Sequence, residues 1–383
     1  MNDRILKRCN NLKVSEIALG CEGLAKMSSE EVKAMLDRAQ ELGINFIDLC
    51  LPNPDLRDNV GMAIAGRREK FCLQGHIGAA WENGQYLRTR DVEKSRKAFE
   101  DQLDRLGTDY IDVGMIHYVD GAEDFKEIFG GPFIEYCKGL KAEGKIHCLG
   151  ISSHNPQIAR KAVESGLIDV LMFSVNPAYD MQPPSEDCDL LWNPESYKNG
   201  ADGFDSDRKA LYELCEREGI AIDVMKAFGG GDMLNAEMSP FGAAFNEYQC
   251  IDYCLTRPGV AAVMAGCHSI EEMEKLVGYY AASREEKDYS VVLSRVEKFN
   301  LKGNCMYCGH CAPCTVGIDV AAVNKYLNLA LAQGEVPETV ADHYKLLVHH
   351  ASECIACGRC EKNCPFGVGV MEKMKKAAEI FGY

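Results

Sequence analysis

The sequence predicts an α/β fold, a closed (β/α)8 barrel of the TIM type followed by a small, mainly helical, cysteine-rich domain. Two observations predict it. Eight short apolar runs alternate with amphipathic helical patterns before residue 285, and eight of the 19 cysteines crowd into two groups beyond residue 300. The strand runs, in order, are SEIALGC, NFIDLC, KFCLQGH, DVGMIH, HCLGIS, VLMFSV, AIDVMKA and AAVMAG. Between them lie patterns such as SEEVKAMLDRAQELG and DVEKSRKAFEDQLDRLG, with apolar residues at i, i+3, i+4 and i+7, the spacing of one helix face. Eight such units in series favour closure over a doubly wound open sheet, since a barrel of this kind takes roughly 250 residues. The polar run AASREEKDYS marks the boundary, giving a barrel over residues 1–284 and a second domain over residues 285–383.

Bulk properties narrow the function. A formal charge of −16 argues against a phosphate-binding surface, so nucleic acid is not expected as a partner. The first twenty residues contain no apolar h-region, and no apolar run is long enough to span a bilayer. A cytoplasmic protein with no membrane partner is therefore expected, with its thiols reduced.

The stretch CIACGRCEKNCP, from Cys354 to Pro365, is C-x2-C-x2-C-x3-C-P. This is the bacterial ferredoxin run that supplies thiolates to [4Fe–4S] clusters. A second run, Cys305, Cys308, Cys311 and Cys314, has one residue fewer before its last cysteine. Zinc sites favour paired C-x2-C knuckles, which this triple spacing suits poorly. In two-cluster ferredoxins the fourth cysteine of each run crosses to the other cluster. That rule groups Cys305, Cys308 and Cys311 with Cys364, and Cys354, Cys357 and Cys360 with Cys314. The intervening DVAAVNKYLNLALAQGEVPETVADHYKLLVHHASE reads as two helices around a Gly-Glu-Val-Pro break.

In a (β/α)8 barrel chemistry sits at the C-terminal strand ends. Those ends carry Cys21, Glu22, Asp48, Cys50, His76, His117, Ser152 to His154, Asn176, Lys226 and Gly266 to Ser269. The set is richer in titratable groups than a structural rim requires. The 31-residue stretch from PAYD to DSD after the sixth strand is a candidate lid or an irregular insertion.

The patterns RCNNLKVSEIALGCEGL, ELGINFIDLC, DQLDRLGTDYIDVGMIH and GKIHCLGISSHNP resemble the aldo-keto reductases. With the cysteine-rich tail, the chain resembles the iron–sulfur branch of that family. The resemblance implies hydride transfer between a nicotinamide and a carbonyl, with an Asp, Tyr, Lys and His tetrad in which Tyr is the acid. Asp48 and His117 match two members. Asn53 stands where the tyrosine belongs, and His76 where the lysine belongs. Of the nicotinamide pocket, Ser152 is kept, while Ser153, Met172 and Val175 depart from the family pattern. Lys226, Gly229 and Gly230, together with Gly266 and Ser269 ahead of SIEEMEKLVGYY, are candidates for the phosphate end, and Asn176 for the same pocket.

The resulting expectation is an iron–sulfur oxidoreductase that moves electrons between two [4Fe–4S] clusters and a small organic substrate at the barrel mouth. Asp48, His76 and His117 would replace the usual tetrad there. NAD(P)H is a candidate cofactor despite a degenerate pocket, a flavin is an alternative, and a ferredoxin or flavodoxin-like carrier is a candidate redox partner. Two other readings remain open: a catalytic metal held by His76, His117 and His154 with Asp48, Glu22 or Cys50, and a non-catalytic electron-transfer subunit.

Overall fold

The computed structural model describes residues 1–193, 203–294, 301–332 and 336–383. Its strands are β1 (Asp3–Leu6), β2 (Leu12–Ser15), β3 (Ile17–Gly20), β4 (Phe46–Leu49), β5 (Cys72–Ile77), β6 (Ala79–Glu82), β7 (Gln85–Arg88), β8 (Ile111–Ile116), β9 (Ile146–Ser153), β10 (Val170–Ser174), β11 (Ala221–Met225) and β12 (Val260–Gly266). Strands β3, β4, β5, β8, β9, β10, β11 and β12 close into a parallel barrel, each overlapping one of the eight apolar runs, in the same order. Such runs are the mark of strands buried on both faces. The remaining four form two antiparallel hairpins, β1–β2 and β6–β7.

The intervening helices start and stop where local chemistry dictates. Ser28 and Glu31 form a capping box at the start of Ser29–Leu42, and Gly43, at φ +83°, ends it. Asp91 caps Val92–Leu106, which ends at Gly107 in the left-handed region.

Period-2 alternation sorts the strand residues between two cores. Phe46, Cys72, Val113 and Met115 face the barrel interior with Cys148, Val170, Met172 and Met264, and the β1–β2 hairpin closes the floor with Leu6, Cys9 and Val14. Ile47, Leu73, Ile77 and Ile116 face the helices. Three adjacent inward columns, those of β4, β5 and β8, begin apolar and end polar. Phe46 leads to Asp48, Cys72 to Gln74 and His76, and Val113 and Met115 to His117. That ordering delivers the polar groups to the mouth.

One expectation is corrected at the floor. Cys9 of the hairpin and Cys148 of β9 are joined as a disulfide, where free thiols were expected, because closing the floor brings the two side chains together; the other cysteines are free.

The stretch after β10 forms short 3-10 turns at Tyr179–Met181 and Cys188–Trp192, and its residues 194–202 lie outside the described residues. Its root is fixed. Asp180, fully buried, accepts hydrogen bonds from Tyr212 Oη (2.5 Å) and Tyr253 Oη (2.7 Å).

The C-terminal part is helical, with Val320–Leu331, Glu338–Lys345, Arg359–Asn363 and Val370–Phe381. Gly334 and Glu335 of the predicted break lie outside the described residues. This part docks on the flank of the barrel formed by the helices after β10 and β11, Ser206–Glu218 and Glu247–Leu255. His343 Nδ1 lies 2.7 Å from Glu216 Oε1. Buried Arg257 donates to the Met306 carbonyl, which also accepts from Tyr289 Oη at 2.7 Å. Among the described residues no helix is long and apolar enough to cross a membrane.

Candidate active site and cysteine sets

Asp48 and Gln74 are register partners on β4 and β5, and His76 is the next inward residue of β5. Consequently Asp48 Oδ1 accepts from Gln74 Nε2 at 3.0 Å and lies 2.9 Å from His76 Nε2. His76 Nδ1 faces His117 Nδ1 at 2.8 Å, and His117 Nε2 faces Tyr86 Oη at 2.7 Å. Four side chains thus make one hydrogen-bonded line from core to surface. Asp48 and His76 are each 4% exposed, His117 8%, and Tyr86 42%.

Tyr86 is the residue that sequence reasoning missed. It sits on β7, reached through the turn Asn83-Gly84, whose φ values of 52° and 75° are those of a type I′ hairpin turn. The flanking AAWE and QYLR around Asn-Gly are a hairpin signal legible in the sequence. Arg88 and Arg90 fix the end of the hairpin by donating to the Tyr118 carbonyl at 3.0 and 2.8 Å, and Arg90 also bonds Asp124. The family's tyrosine is therefore absent from its usual segment, while a phenol from another element occupies the end of the line. Asn53 has a structural task instead, capping Pro54–Ile64 by accepting from Leu56 N at 3.0 Å.

Electrostatics suit a neutral line. Burial first, and then the neighbouring His76 and Arg90, push the His117 imidazole well below its ordinary pKa, so it is neutral at physiological pH. Burial raises the Tyr86 phenol to about 12, which keeps it protonated. Beneath them Asp223 accepts from the same Gln74 Nε2 at 2.7 Å, and burial pushes its pKa well above the ordinary carboxylate value. Cys21 and Cys50 flank Asp48 as thiols whose pKa values burial raises.

The three-histidine ligand set is not assembled. Both ring nitrogens of His76 and His117 serve the line, and His154 Nδ1 instead meets Asp120 Oδ2 at 2.9 Å. Among the described residues, the one His/Cys/Asp/Glu group compact enough to share an ion is Asp120, His154 and Cys188.

The candidate nicotinamide residues scatter along the mouth. Ser152 is buried at the end of β9, and Ser153 Oγ donates to Asp120 Oδ1 at 3.1 Å. Asn176 donates to the Lys226 carbonyl and accepts from Ala178 N and Tyr179 N, so its amide braces the loop. Gly229, Gly230 and Gly231 all have positive φ in the turn after β11. Gly266 ends β12, exposed. Ser269 caps Ile270–Val277, and Glu272 Oε2 accepts from His268 N at 2.8 Å, placing a carboxylate at that helix end.

The eight distal cysteines line two separate cavities. Cys305, Cys308, Cys311 and Cys364 surround one, and Cys354, Cys357, Cys360 and Cys314 the other. Val320 lines both. In neither set do three sulfurs come within 4.8 Å of one another. One zinc ion with bonds of about 2.3 Å would draw its sulfurs to ~4 Å apart, so the sets are too wide for zinc. The wider spread and the all-thiolate donor set fit a cubane cluster.

A closed parallel barrel with a carboxylate–imidazole line at its mouth and two four-cysteine sets beside it defines an iron–sulfur oxidoreductase. The chain belongs to the aldo/keto reductase family, whose model matches residues 16–245. A 4Fe-4S dicluster domain matches residues 304–369. An uncharacterized oxidoreductase of Bacillus subtilis, YqkF, is 29% identical over 287 residues, which is 70% of this chain and 87% of its own length. The aldo-keto reductase YhdN of the same organism is 25% identical over 303 residues, 70% of this chain and 84% of its own. Among solved structures, the holo form of aldo-keto reductase AKR11C1 from Bacillus halodurans superimposes with a TM-score of 0.60 at 23% identity, covering 78% of this chain and 97% of that one. This last likeness concerns the fold.

Proposed function

We propose that the enzyme interconverts a small carbonyl compound and its alcohol at the barrel mouth, with Tyr86 as the proton donor and Asp48, His76 and His117 as its relay. The Tyr86 Oη to His117 Nε2 contact of 2.7 Å carries this reading, because it puts a protonated phenol on the histidine that matches the family tetrad. In the reducing direction Tyr86 gives its proton to the carbonyl oxygen as that oxygen becomes an alkoxide. His117 Nε2–H replaces the lost proton, His76 Nδ1–H replaces that of His117, and the Asp48 carboxyl replaces that of His76. Oxidation of the alcohol runs the same line inward and ends with the proton on Asp48. Such a line requires each imidazole to carry one proton, which is why the lowered pKa of His117 matters.

Cys305, Cys308, Cys311 and Cys364 would hold one [4Fe–4S] cluster, and Cys354, Cys357, Cys360 and Cys314 the other. The clusters supply single-electron transfer, exchanged with a small ferredoxin or flavodoxin-like carrier. A nicotinamide, as family members use, would supply hydride at the mouth, where Ser152, Lys226 and the glycine turn offer partners.

In the barrel, β5 lies diametrically across from β11, on whose side the cysteine sets dock. To test the reading, anaerobically prepared protein is given a panel of small aldehydes, ketones and alcohols with either nicotinamide or a reduced viologen. Turnover that follows the carbonyl supports it; no turnover with any pair in either direction defeats it.

A further inference from the structure

Between the cysteine sets and the barrel flank lies a cleft with about 1580 Å³ of free space, part of it open to solvent. Its enclosed part, about 760 Å³, falls within the ~300–1,000 Å³ of ordinary ligand sites, so it has room for a cofactor. Cys308 and Cys314 both form part of its wall, one from each set.

The charges on this wall run against those of the chain. Arg4, Arg284, Lys287 and Lys325 face the cleft in a protein of net charge −16. Arg4 is paired with Glu16 at 2.6 Å, and Lys287 lies 4.2 Å over the Tyr279 ring. Arg284 and Lys325 form no ion pair within 4 Å among the described residues. Glu216, the acid nearest in effect to Lys325, is already bonded to His343 and to Gly259 N at 2.7 and 2.8 Å. Arg284 is planted on the cluster loop. A Cβ built at Gly309 would fall 2.7 Å from its Nη2, so the guanidinium lies directly against this loop.

The two carboxylates on the wall are engaged. Asp252 accepts from Tyr279 Oη at 2.8 Å, and Asp319 caps Val320–Leu331 through Ala322 N. That helix begins at the cleft, adding the positive end of its dipole to Arg284 and Lys325. Tyr307 and Tyr326 supply aromatic wall.

We propose that the cleft binds a phosphate-bearing flavin of the flavin mononucleotide class, its phosphate held by Arg284 and Lys325 and its ring beside Cys308 and Cys314. A flavin is the ring cofactor suited to this position because it exchanges electrons singly, as iron–sulfur centres do, and in pairs, as carbonyl chemistry requires. The proposal rests on the cluster reading of the cysteines and is independent of the Tyr86 relay.

The test titrates flavin mononucleotide into the cluster-loaded full chain under argon, followed by flavin fluorescence, with iron content measured on every sample. Saturable binding is expected, weakened about tenfold by R284Q (about 1.4 kcal/mol) and similarly by K325Q, and weakened further by salt. Arg284 is exposed, so R284Q leaves the fold intact, and an unchanged iron content verifies it. Any of four results overturns the proposal: no saturable binding below about 1 mM, indifference to R284Q, loss of binding on Y86F instead, or orthophosphate binding as tightly as the flavin. The relay reading survives each of these, since it is read from turnover.

Discussion

Replacing Tyr86 with phenylalanine removes one oxygen atom and leaves the rest of the line in place. Tyr86 is 42% exposed, and its hydroxyl makes one hydrogen bond, to His117 Nε2 at 2.7 Å. Losing that bond costs about 1 kcal/mol of stability, because water can serve His117 in its place. The chemical effect is far larger. A positioned general acid contributes roughly 10²–10⁴-fold, or about 3–5 kcal/mol of transition-state stabilisation at 1.36 kcal/mol per decade. Y86F should therefore lower kcat for carbonyl reduction by at least about a hundredfold with KM little changed, since the lost interaction is made only as the alkoxide forms. The assay follows consumption of the carbonyl at saturating reductant, with the iron content of wild type and variant matched. A kcat within about threefold of wild type would refute the reasoning, because a proton donor cannot be dispensable.

The rest of the relay makes its own demands. D48N keeps the shape of the side chain but removes the group that supplies the proton in reduction and takes it up in oxidation, so kcat should fall roughly 10²-fold or more while circular dichroism is unchanged. Burial holds His117 neutral in the fold, whereas in the unfolded chain it titrates near 6.5. The unfolded state thus binds the extra proton on acidification, and the native state loses stability, on the order of 1 kcal/mol, between pH 7.5 and 5.5 from this group. Thermal melts at the two pH values should show that loss in wild type and a smaller one in H117Q. For the clusters, C364S should lower iron from about eight to about four per chain. C305S/C364S should then stay at about four and C360S/C364S fall to near zero; the reverse pattern would assign one cluster to each contiguous run.

The barrel was legible because its strands are buried on both faces and so are written as unbroken apolar runs, from SEIALGC to AAVMAG. The inward columns ending in Asp48, His76 and His117 were legible for the same reason, since period 2 and strand ends suffice to place them. Tyr86 was not legible because the family's tyrosine belongs to the segment after Asp48, whereas here the phenol arrives on a hairpin with a two-residue turn. The Asn83-Gly84 dipeptide was the available signal. Asn53 gave no sign from its identity alone that it caps a helix, although Pro54 after it fits that role. The Cys9–Cys148 pairing depends on how the β1–β2 hairpin folds under the barrel, a contact across 139 residues of chain that no local pattern encodes. The same holds for the docking flank. Nothing in the cysteine spacing says that the sets lie beside the helices after β10 and β11 rather than over the mouth.

One measurement reaches the coupling of the two halves most directly. Protein with its two clusters chemically reduced, one electron on each, and the reductant removed is mixed in a stopped-flow cell with a carbonyl substrate and oxidised nicotinamide as the hydride carrier but no other electron source, and the visible absorbance of the clusters is followed. The account predicts reoxidation of the clusters that depends on the carbonyl and slows in Y86F at unchanged iron content. Clusters that stay reduced while the barrel turns over with nicotinamide alone would contradict it.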